Sequence, residues 1–194
     1  QSPPRVATLD LPGRPGAVAF TRTLPAREPE PLTFRGRAMG TAWSVKFRDD
    51  VADPTVVEKL VIDQLEWAES MTSHWRSNTD LTRFNQAATT NPVPMPWPVM
   101  TLVRRAAGLS EATGGAYDVT VGPLVRLWGF GPGPTRTNPP TAGELATARV
   151  TVGWTNLKAG DGTLRKRHPA TTVDLTSLAE GWAIDQIATV LARR

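Results

Sequence analysis

The chain has 194 residues, of which 40% are hydrophobic, a size and composition typical of one globular domain with a buried core. The formal net charge is +4, but outside the cluster Arg165-Lys166-Arg167-His168 the basic residues are scattered and follow no nucleic-acid-binding motif, so we expect no nucleic-acid partner. The sequence contains no cysteine, which excludes disulfides, thiolate metal sites and cysteine nucleophiles.

The first part of the chain divides into a proline-rich segment and the start of a folded domain. Residues 1–32 include seven prolines and show little hydrophobic periodicity, so we predict an extended or poorly ordered leader that acts as a tether. The folded domain is predicted at residues 33–194. Its first strand is indicated by the alternation of apolar and polar residues over Trp43–Phe47. The step Met39-Gly40-Thr41, just before it, interrupts the strand pattern.

A first helix is predicted to begin at Asp53 and Pro54, which suit the N-cap and the first helical position. Its apolar residues recur on one face: Val57, Leu60, Val61, Leu65, Ala68 and Met71. A short helical turn is expected at Leu81–Asn85. Residues 91–98 hold four prolines and are predicted to form a loop.

The middle of the chain is predicted to contain a second helix from Val99 to about Thr113. We expect three of its residues to face the core: Leu102, Ala106 and Leu109. The pair Gly114-Gly115 supplies a left-handed stop. Residues 116–131 then show an apolar, strand-like stretch bordered by glycines, where backbone can approach a ligand closely.

The last third of the chain is predicted to alternate short elements before a final helix. These elements are a helix at Ala142–Ala148 and strands at Val150–Trp154, Thr163–Lys166 and Thr171–Leu175. Ser177 and Glu180 have the spacing of a capping box at the start of the final helix. Its apolar stripe is predicted to consist of Ile184, Ile187, Ala188 and Leu191.

The junction before the final helix is the clearest candidate site. A predicted strand ends at Asp174-Leu175, small polar residues follow at Thr176-Ser177, and Gly181 lies in the first part of the helix. Free backbone N–H groups and the positive end of the helix dipole favour a phosphate or pyrophosphate at such a place. Any capped strand–turn–helix junction shows the same pattern, so a purely structural role is the alternative.

Other candidate residues also have a functional and a structural interpretation. Asp118 can bind a ligand or a magnesium-bound water, or it can serve as a turn carboxylate. Trp75 can stack on a planar ring, or it can belong to the core beside the first helix. Met39 and Trp182 have the same structural alternative, and these residues alone do not decide between the two.

Four segments taken together resemble the ApbE family in order and spacing, over roughly residues 33 to 192. They are Met39-Gly40-Thr41, then Met71–Trp75 leading to Asp80–Asn85, then Gly115–Leu124 with Leu127–Gly131, and finally Asp174–Asp185. The resemblance implies an α+β fold, ApbE-like and T-fold-like, in which an antiparallel sheet packs with helices. It also implies that the C-terminal part of this fold is missing from the chain.

The activity implied by the resemblance is that of a FAD:protein FMN transferase, which moves FMN from FAD to a threonine of an acceptor protein, releases AMP and requires Mg²⁺. Family contacts to the flavin dinucleotide fall here at Met39, Trp75, Ala116, Tyr117, Asp118, Thr176 and Trp182. The backbone carbonyl of Ala179 falls at a magnesium ligand. The resemblance names no catalytic residue.

Two departures from the family pattern affect these expectations. Many members have lysine where Glu180 stands, although glutamate also occurs. Members also continue through a His-x-x-Asp-Pro-x-Thr-Gly-like segment that supplies side-chain magnesium ligands, and nothing in this chain resembles it. We therefore expect the chain to be the N-terminal portion of such a transferase. Two alternative functions stay open: a FAD-binding module without transferase activity, and a Mg²⁺-dependent FAD pyrophosphatase.

The resemblance also implies partners and a location. The acceptor is expected to be a flavoprotein of a membrane electron-transfer system, and the protein is expected to be periplasmic or anchored to the membrane facing the periplasm. Apolar edges left by the missing part predict an oligomer or a partner chain that completes the fold.

Overall fold

The computed structural model describes residues 6–7, 22–23, 30–47, 51–130 and 136–193. Contacts divide the chain into a unit of residues 1–35 and 44–52 and a unit of residues 36–43 and 53–194. Most of the predicted leader lies outside the described residues, so the division at residue 32 stays a prediction. None of the helices in the described ranges is long and apolar enough to cross a membrane.

The described residues at the start of the chain form four strands. They are β1 (Val6–Ala7), β2 (Arg22–Thr23), β3 (Leu32–Ala38) and β4 (Thr41–Phe47). Strands β1 and β2 pair antiparallel, and β3 and β4 are neighbours in a second two-stranded sheet. The predicted strand at Trp43–Phe47 is confirmed, with its aromatic and valine residues half-buried and the polar ones exposed.

The first helix, α1 (Pro54–Thr72), is confirmed together with its cap. The Asp53 carboxylate accepts hydrogen bonds from the N–H groups of Thr55 (3.1 Å) and Val56 (3.2 Å), which no carbonyl within the helix reaches. The predicted apolar face lies toward the core, where Val61, Leu65, Ala68 and Thr72 are buried. The short helical turn is also confirmed as α2 (Asp80–Gln86).

The proline-rich segment at residues 91–98 is only partly a loop. Strand β5 (Val93–Pro94) lies within it at the edge of a sheet, where a proline without an N–H donor is tolerated. Helix α3 (Trp97–Ala112) begins two residues earlier than predicted. Pro98 fits there because N–H groups in the first helical turn have no partner in the helix.

Helix α3, which was predicted as the second helix, differs from its prediction on one face. The inward position predicted for Leu109 is wrong, because that side chain is exposed and Ser110 is buried instead. The Ser110 hydroxyl donates to the carbonyl of Ala106 at 2.9 Å, which satisfies the buried oxygen. The predicted left-handed stop is confirmed, with φ of 61° at Gly114 and 84° at Gly115.

The strand-like interpretation of residues 116–131 is wrong over its described part. A turn leads into α4 (Gly122–Leu127), whose second position is proline, and residues 131–135 lie outside the described ranges. The apolar stretch that suggested a strand instead leads into a helix, and Val119 and Thr120 are buried just before it. Local apolar pattern in so short a run does not distinguish the two outcomes.

The predicted strand at Val150–Trp154 is also wrong. Helix α5 (Ala142–Arg149) is present as expected, and its hydrogen-bonding pattern continues through a turn at residues 150–152. Gly153 then adopts φ of 142°, and a 3-10 turn follows at Trp154–Asn156. These residues therefore have helical or turn partners rather than a neighbouring strand.

The predicted strand at Thr163–Lys166 is confirmed as β7, the middle strand of a sheet ordered β5-β7-β6, with β6 at Leu157–Ala159. Both pairings are antiparallel. The basic cluster around this strand is not uniformly on the surface. The side chain of Lys166 is fully buried, whereas Arg165 and Arg167 are exposed.

The final helix, α6 (Thr176–Leu191), is confirmed, but its predicted cap is wrong. The helix begins at Thr176, where the Asp174 carboxylate accepts the Thr176 N–H at 2.9 Å. The capping-box spacing is realised instead at Thr141 and Glu144 of α5.

The stripe predicted for α6 is wrong at Ile184, which is 64% exposed, and at Ala188, which is also exposed. The buried side is formed by Ala179, Trp182, Ala183 and Ile187. This side packs against α1 and α3, and one tryptophan from each helix meets in a ring cluster. The Trp67 and Trp182 ring centroids are 5.3 Å apart, and Trp97 lies 5.8 Å from Trp182. The three helices form the main core.

Candidate functional site

The first cavity lies where the β3–β4 turn, the end of α1 and the start of α6 meet, and has a volume of about 490 Å³. Its walls combine apolar side chains with small polar ones. They are Met39, Gly40, Thr41, Glu69, Thr72, Ser73, Trp75, Thr176, Ala179 and Glu180. Four of the predicted site residues are thus brought together here, from segments that are far apart in the sequence.

The turn at Met39 is held by a carboxylate of α1. Met39 is the one non-glycine residue with positive φ (53°) within the described ranges, a conformation unfavourable for most side chains. Its N–H donates to Glu69 Oε2 at 3.5 Å, and Arg76 donates to the same oxygen at 3.0 Å. Sequence reasoning missed Glu69 because helical periodicity assigns it to the polar face of α1.

Arg76 extends this arrangement along α1. Its guanidinium also donates to both oxygens of Glu66, at 2.7 and 3.0 Å. These bonds hold the pKa of the Glu66 carboxyl below its usual value. The ion pairs are largely on the surface, so we assign them an orienting role more than a large contribution to stability.

Trp75 lies in the cavity wall rather than in the core, and its side chain is 59% exposed. The segment after α1 turns the indole outward, with the Ser73 hydroxyl accepting the Trp75 N–H at 3.1 Å. An exposed indole beside an apolar cavity is suited to stacking on a planar ring. The core alternative for Trp75 is therefore not observed.

The second cavity, of about 570 Å³, lies on the other side of the α6 start. It is lined by Gly115, Ala116, Tyr117, Asp118, Val119, Val121, Val152, Asp174, Thr176 and Ser177. Thr176 lines both cavities, so the first residue of α6 lies where they meet. The Tyr117 and Ser177 hydroxyls are hydrogen-bonded at 2.9 Å across the second cavity's wall.

Asp118 has the structural role that was its alternative interpretation. One carboxylate oxygen accepts from the Thr120 N–H (2.7 Å) and hydroxyl (2.6 Å), and the other accepts from the Trp154 N–H at 2.9 Å. Asp118 thereby joins the turn before α4 to the 3-10 turn. Because its oxygens are already engaged, Asp118 shapes the cavity wall chiefly by fixing this backbone.

Asp174 connects the second cavity to a narrow polar cleft that His74 and Thr172 also line. One Asp174 oxygen lies 3.5 Å from His74 Nδ1. Burial lowers the pKa of His74, and the negative charge of Asp174 opposes that shift only in part. The Thr172 hydroxyl is buried in this cleft without a hydrogen-bond partner among the described residues.

Ala179 and Trp182, two further residues predicted for the site, lie in different surroundings. Ala179 is buried in the first turns of α6 and lines the first cavity. Trp182 lies in the tryptophan cluster, behind the residues that line either cavity. No group of three or more histidine, aspartate or glutamate residues suited to a metal ion occurs within the ranges the structure describes.

Comparison with known proteins gives consistent matches. A family model described as "ApbE family" matches residues 39–194. The chain is 36% identical over 164 residues to a FAD:protein FMN transferase of Vibrio cholerae, covering 84% of this chain and 49% of that protein. It is 34% identical over 182 residues to the Haemophilus influenzae protein of the same name, covering 89% and 53%.

Solved structures give the same picture. The flavin transferase ApbE from Vibrio cholerae matches with a TM-score of 0.81 and 36% identity, over 84% of this chain and 54% of that one. The flavinyl transferase ApbE of Pseudomonas stutzeri in its apo form matches with a TM-score of 0.79 and 31% identity, over 88% and 57%. The predicted α+β fold is confirmed, and the chain spans about half the length of the curated relatives it matches.

Proposed function

The chain belongs to the ApbE family, and from this premise we propose that it contributes the dinucleotide-binding part of a FAD:protein FMN transferase. Its relatives carry that name, and this chain matches about half of their length. The proposed reaction transfers FMN from FAD to a threonine hydroxyl of an acceptor protein and releases AMP.

One observation carries the proposal: two cavities meet at Thr176, the first residue of α6. FAD has a planar ring system at each end and a pyrophosphate between them. Cavities of about 490 and 570 Å³ offer space for two such ends, and a helix start between them favours the anionic link. We assign Trp75 and Met39 to one ring system, and Ala116 and Tyr117 to the other.

The proposed chemistry is phosphoryl transfer with balanced atoms. The threonine hydroxyl oxygen forms a bond to the FMN phosphorus, the bond from that phosphorus to the bridging oxygen breaks, and AMP leaves while the hydroxyl proton goes to solvent or a base. Positioning and charge stabilisation dominate catalysis of such reactions. The residues described here bind and orient FAD, since none of them is an evident base for the acceptor hydroxyl.

Mg²⁺ belongs to the proposal through the family resemblance. The described residues supply the Ala179 carbonyl but no carboxylate cluster, so they do not by themselves fit a resident magnesium site. One feature supports a cation requirement. Asp174 already places a carboxylate at the start of α6, so a pyrophosphate bound there needs compensating positive charge.

The partners and location are proposed on the same ground. The acceptor would be a flavoprotein of a membrane electron-transfer system, with the protein periplasmic or anchored facing the periplasm. Exposed apolar side chains such as Ile184, Phe130 and Val150 are consistent with a second copy or a partner chain covering part of the surface. Light scattering of the purified chain tests this, and a stable monomer would argue against it.

The experiment that tests the proposal is a titration with FAD, followed by flavin fluorescence with and without Mg²⁺. Thr176→Ala and Asp118→Ala should weaken binding, because one alters the junction of the cavities and the other releases a cavity wall. Arg165→Ala, on the exposed face of β7, is the matched control and should not. Equal FAD affinity in all three variants would refute the site assignment.

Product analysis separates this proposal from its alternatives. AMP release that depends on acceptor protein indicates transfer, whereas AMP and free FMN without acceptor indicate a Mg²⁺-dependent FAD pyrophosphatase. Saturable FAD binding with no AMP in either case indicates a FAD-binding module.

A further inference from the structure

The segment Thr171–Leu175, which we call the extended segment, has the side-chain pattern of a strand without a strand's partners. Thr171, Val173 and Leu175 are buried, while Asp174 faces the cavities. The prediction of a strand here is wrong, because the segment belongs to none of the sheets in the described ranges. Its backbone hydrogen bonds must therefore be satisfied in another way.

Asn85, at the end of α2, supplies two of these hydrogen bonds. Its amide nitrogen donates to the Val173 carbonyl at 2.9 Å, and its amide oxygen accepts the Val173 N–H at 2.8 Å. A residue of a neighbouring antiparallel strand would make the same two bonds through its backbone. The Asn85 side chain thus replaces a strand at one position of the extended segment.

Lys166 supplies a third contact, also beside the end of α2. Its ammonium donates to the carbonyls of Thr171 (3.1 Å) and Phe84 (3.0 Å), and lies 5.0 Å from the centroid of the Phe84 ring. The Lys166 side chain is fully buried, and burial lowers its pKa. Carbonyls at the C-terminal end of α2 carry partial negative charge, which offsets part of the cost of burying the ammonium.

The extended segment leads directly into the candidate site. Asp174, its fourth residue, donates its N–H to the Val119 carbonyl at 2.7 Å and accepts the Thr176 N–H that begins α6. A shift of Val173 would move Asp174, its neighbour in the chain, and with it the carboxylate that accepts the Thr176 N–H. The contacts made by Asn85 and Lys166 therefore set the point where the two cavities meet.

We propose that Asn85 and Lys166 are positioning residues that clamp the extended segment to α2 and β7, and so hold Asp174 and Thr176 in their places at the two cavities. Neither side chain lines the wall of the two large cavities. The effect of the clamp on ligand affinity rests on the proposed function. Its effect on the backbone does not depend on any ligand.

The test compares Asn85→Ala and Lys166→Met with Arg165→Ala, whose side chain donates to the Thr90 carbonyl outside the extended segment. Amide hydrogen exchange at Val173 and Asp174 is measured by NMR without ligand, with amides of the α3 core as reference. FAD affinity is then measured well below the unfolding temperature, where each variant is folded. Lys166→Met keeps an unbranched apolar side chain but removes the ammonium. Asn85→Ala alone tests the clamp if Lys166→Met does not fold.

Loss of one hydrogen bond to a buried backbone group corresponds to an increase of about tenfold in the equilibrium constant for local opening. We expect exchange at Val173 and Asp174 to accelerate by about tenfold or more in the two clamp variants, with α3 unchanged and FAD affinity weakened. Arg165→Ala should match the unmodified chain in both measurements.

Unchanged or uniformly changed exchange would overturn the clamp, because a merely structural contribution destabilises all core amides alike. Local acceleration with unaltered FAD affinity would overturn the positioning role. If the unmodified chain binds no FAD, the proposed function fails, while the exchange measurement still decides whether the clamp exists.

Discussion

The two cavities are built in different ways. The first lies against α1 and α6, whose backbone hydrogen bonds are local and whose side chains are free to form the wall. The second lies against irregular backbone at residues 115–121, 152 and 174, where N–H groups donate to side chains, as Tyr117 does to Thr113 and Thr120 does to Asp118. One wall depends on packed apolar residues, and the other depends on a few polar residues.

The difference determines how each region responds to substitution. Packing in the helical region is shared among many neighbours, so a truncation there should lower global stability according to the volume it removes. Contacts in the irregular region are few and directional. Removing one polar side chain there leaves several backbone groups without a partner and should loosen a particular segment.

The largest expected effect is in the helical region. Leu65→Ala truncates a buried residue on the core face of α1 and should lower the free energy of unfolding by about 3 kcal/mol. Ile62→Ala on the same helix is the control, because Ile62 is 47% exposed and should cost less than about 1 kcal/mol. Urea denaturation measures both, and equal losses would contradict the assignment of the core face.

Asp118→Ala should lower stability by about 2 kcal/mol, since three donors lose their acceptor. Asp118→Asn keeps acceptor capacity on one side and should lose less. Hydrogen exchange should accelerate mainly at Thr120 and Trp154. A loss spread evenly over α1 and α6 would show that the two regions do not differ as described.

Protonation of His74 should make the free energy of unfolding depend on pH. Burial lowers its pKa in the folded protein below the unfolded value of 6.5, so the folded state binds fewer protons in that window. The associated stability is complete above pH 6.5 and is lost as the pH falls through the folded pKa.

Thermal unfolding from pH 8 to 5 tests this with His74→Gln, which should flatten the decline toward acid pH. His168→Gln, at the chain's other histidine, is the matched control. An unchanged pH profile in His74→Gln would show that protonation of His74 does not oppose folding.

The smallest expected effect is at Glu144 of α5. Hydrogen bonds from Arg136 and Thr141 lower its pKa to about 2, from 4.5 in the unfolded chain. Its contribution is present above pH 4.5 and disappears as the pH falls toward 2. Glu144→Gln should reduce the unfolding temperature slightly at pH 6 and less at pH 3, and the reverse order would contradict this.

Sequence reasoning succeeded where structure is local. The helix starting at Pro54 was predicted with its Asp53 cap, and the left-handed residues Gly114 and Gly115 were predicted with their position, because each depends on neighbours within a turn. The apolar face of α1 followed from periodicity alone. These features need no knowledge of distant contacts.

It failed where tertiary contacts replace local ones. Buried and half-buried residues alternate over Thr171–Leu175 as in a strand, but the partners of this segment are the side chains of Asn85 and Lys166. Asn85 lies more than 80 residues away along the chain, and Lys166 lies five residues from Thr171. Lys166 was assigned to a basic cluster because composition does not reveal burial. The cap of α6 was misplaced because the Asp174 carboxylate starts the helix at Thr176.

The sequence predicted which residues belong to the candidate site better than it predicted how they are arranged. Residues such as Met39, Trp75 and Ala116 came from the family resemblance, and the structure places them around two cavities. Glu69 was missed because its role depends on the β3–β4 turn meeting α1. Trp182 lies behind the cavities, in the core position that was its alternative interpretation.

The most direct measurement of the central claim is a calorimetric titration of the purified chain with FAD, FMN and AMP. If the cavities that meet at Thr176 form one dinucleotide site, FAD binds with one-to-one stoichiometry and at least tenfold more tightly than either half, and both FMN and AMP compete with it. FAD that binds no more tightly than FMN, or that AMP does not displace, would contradict the account.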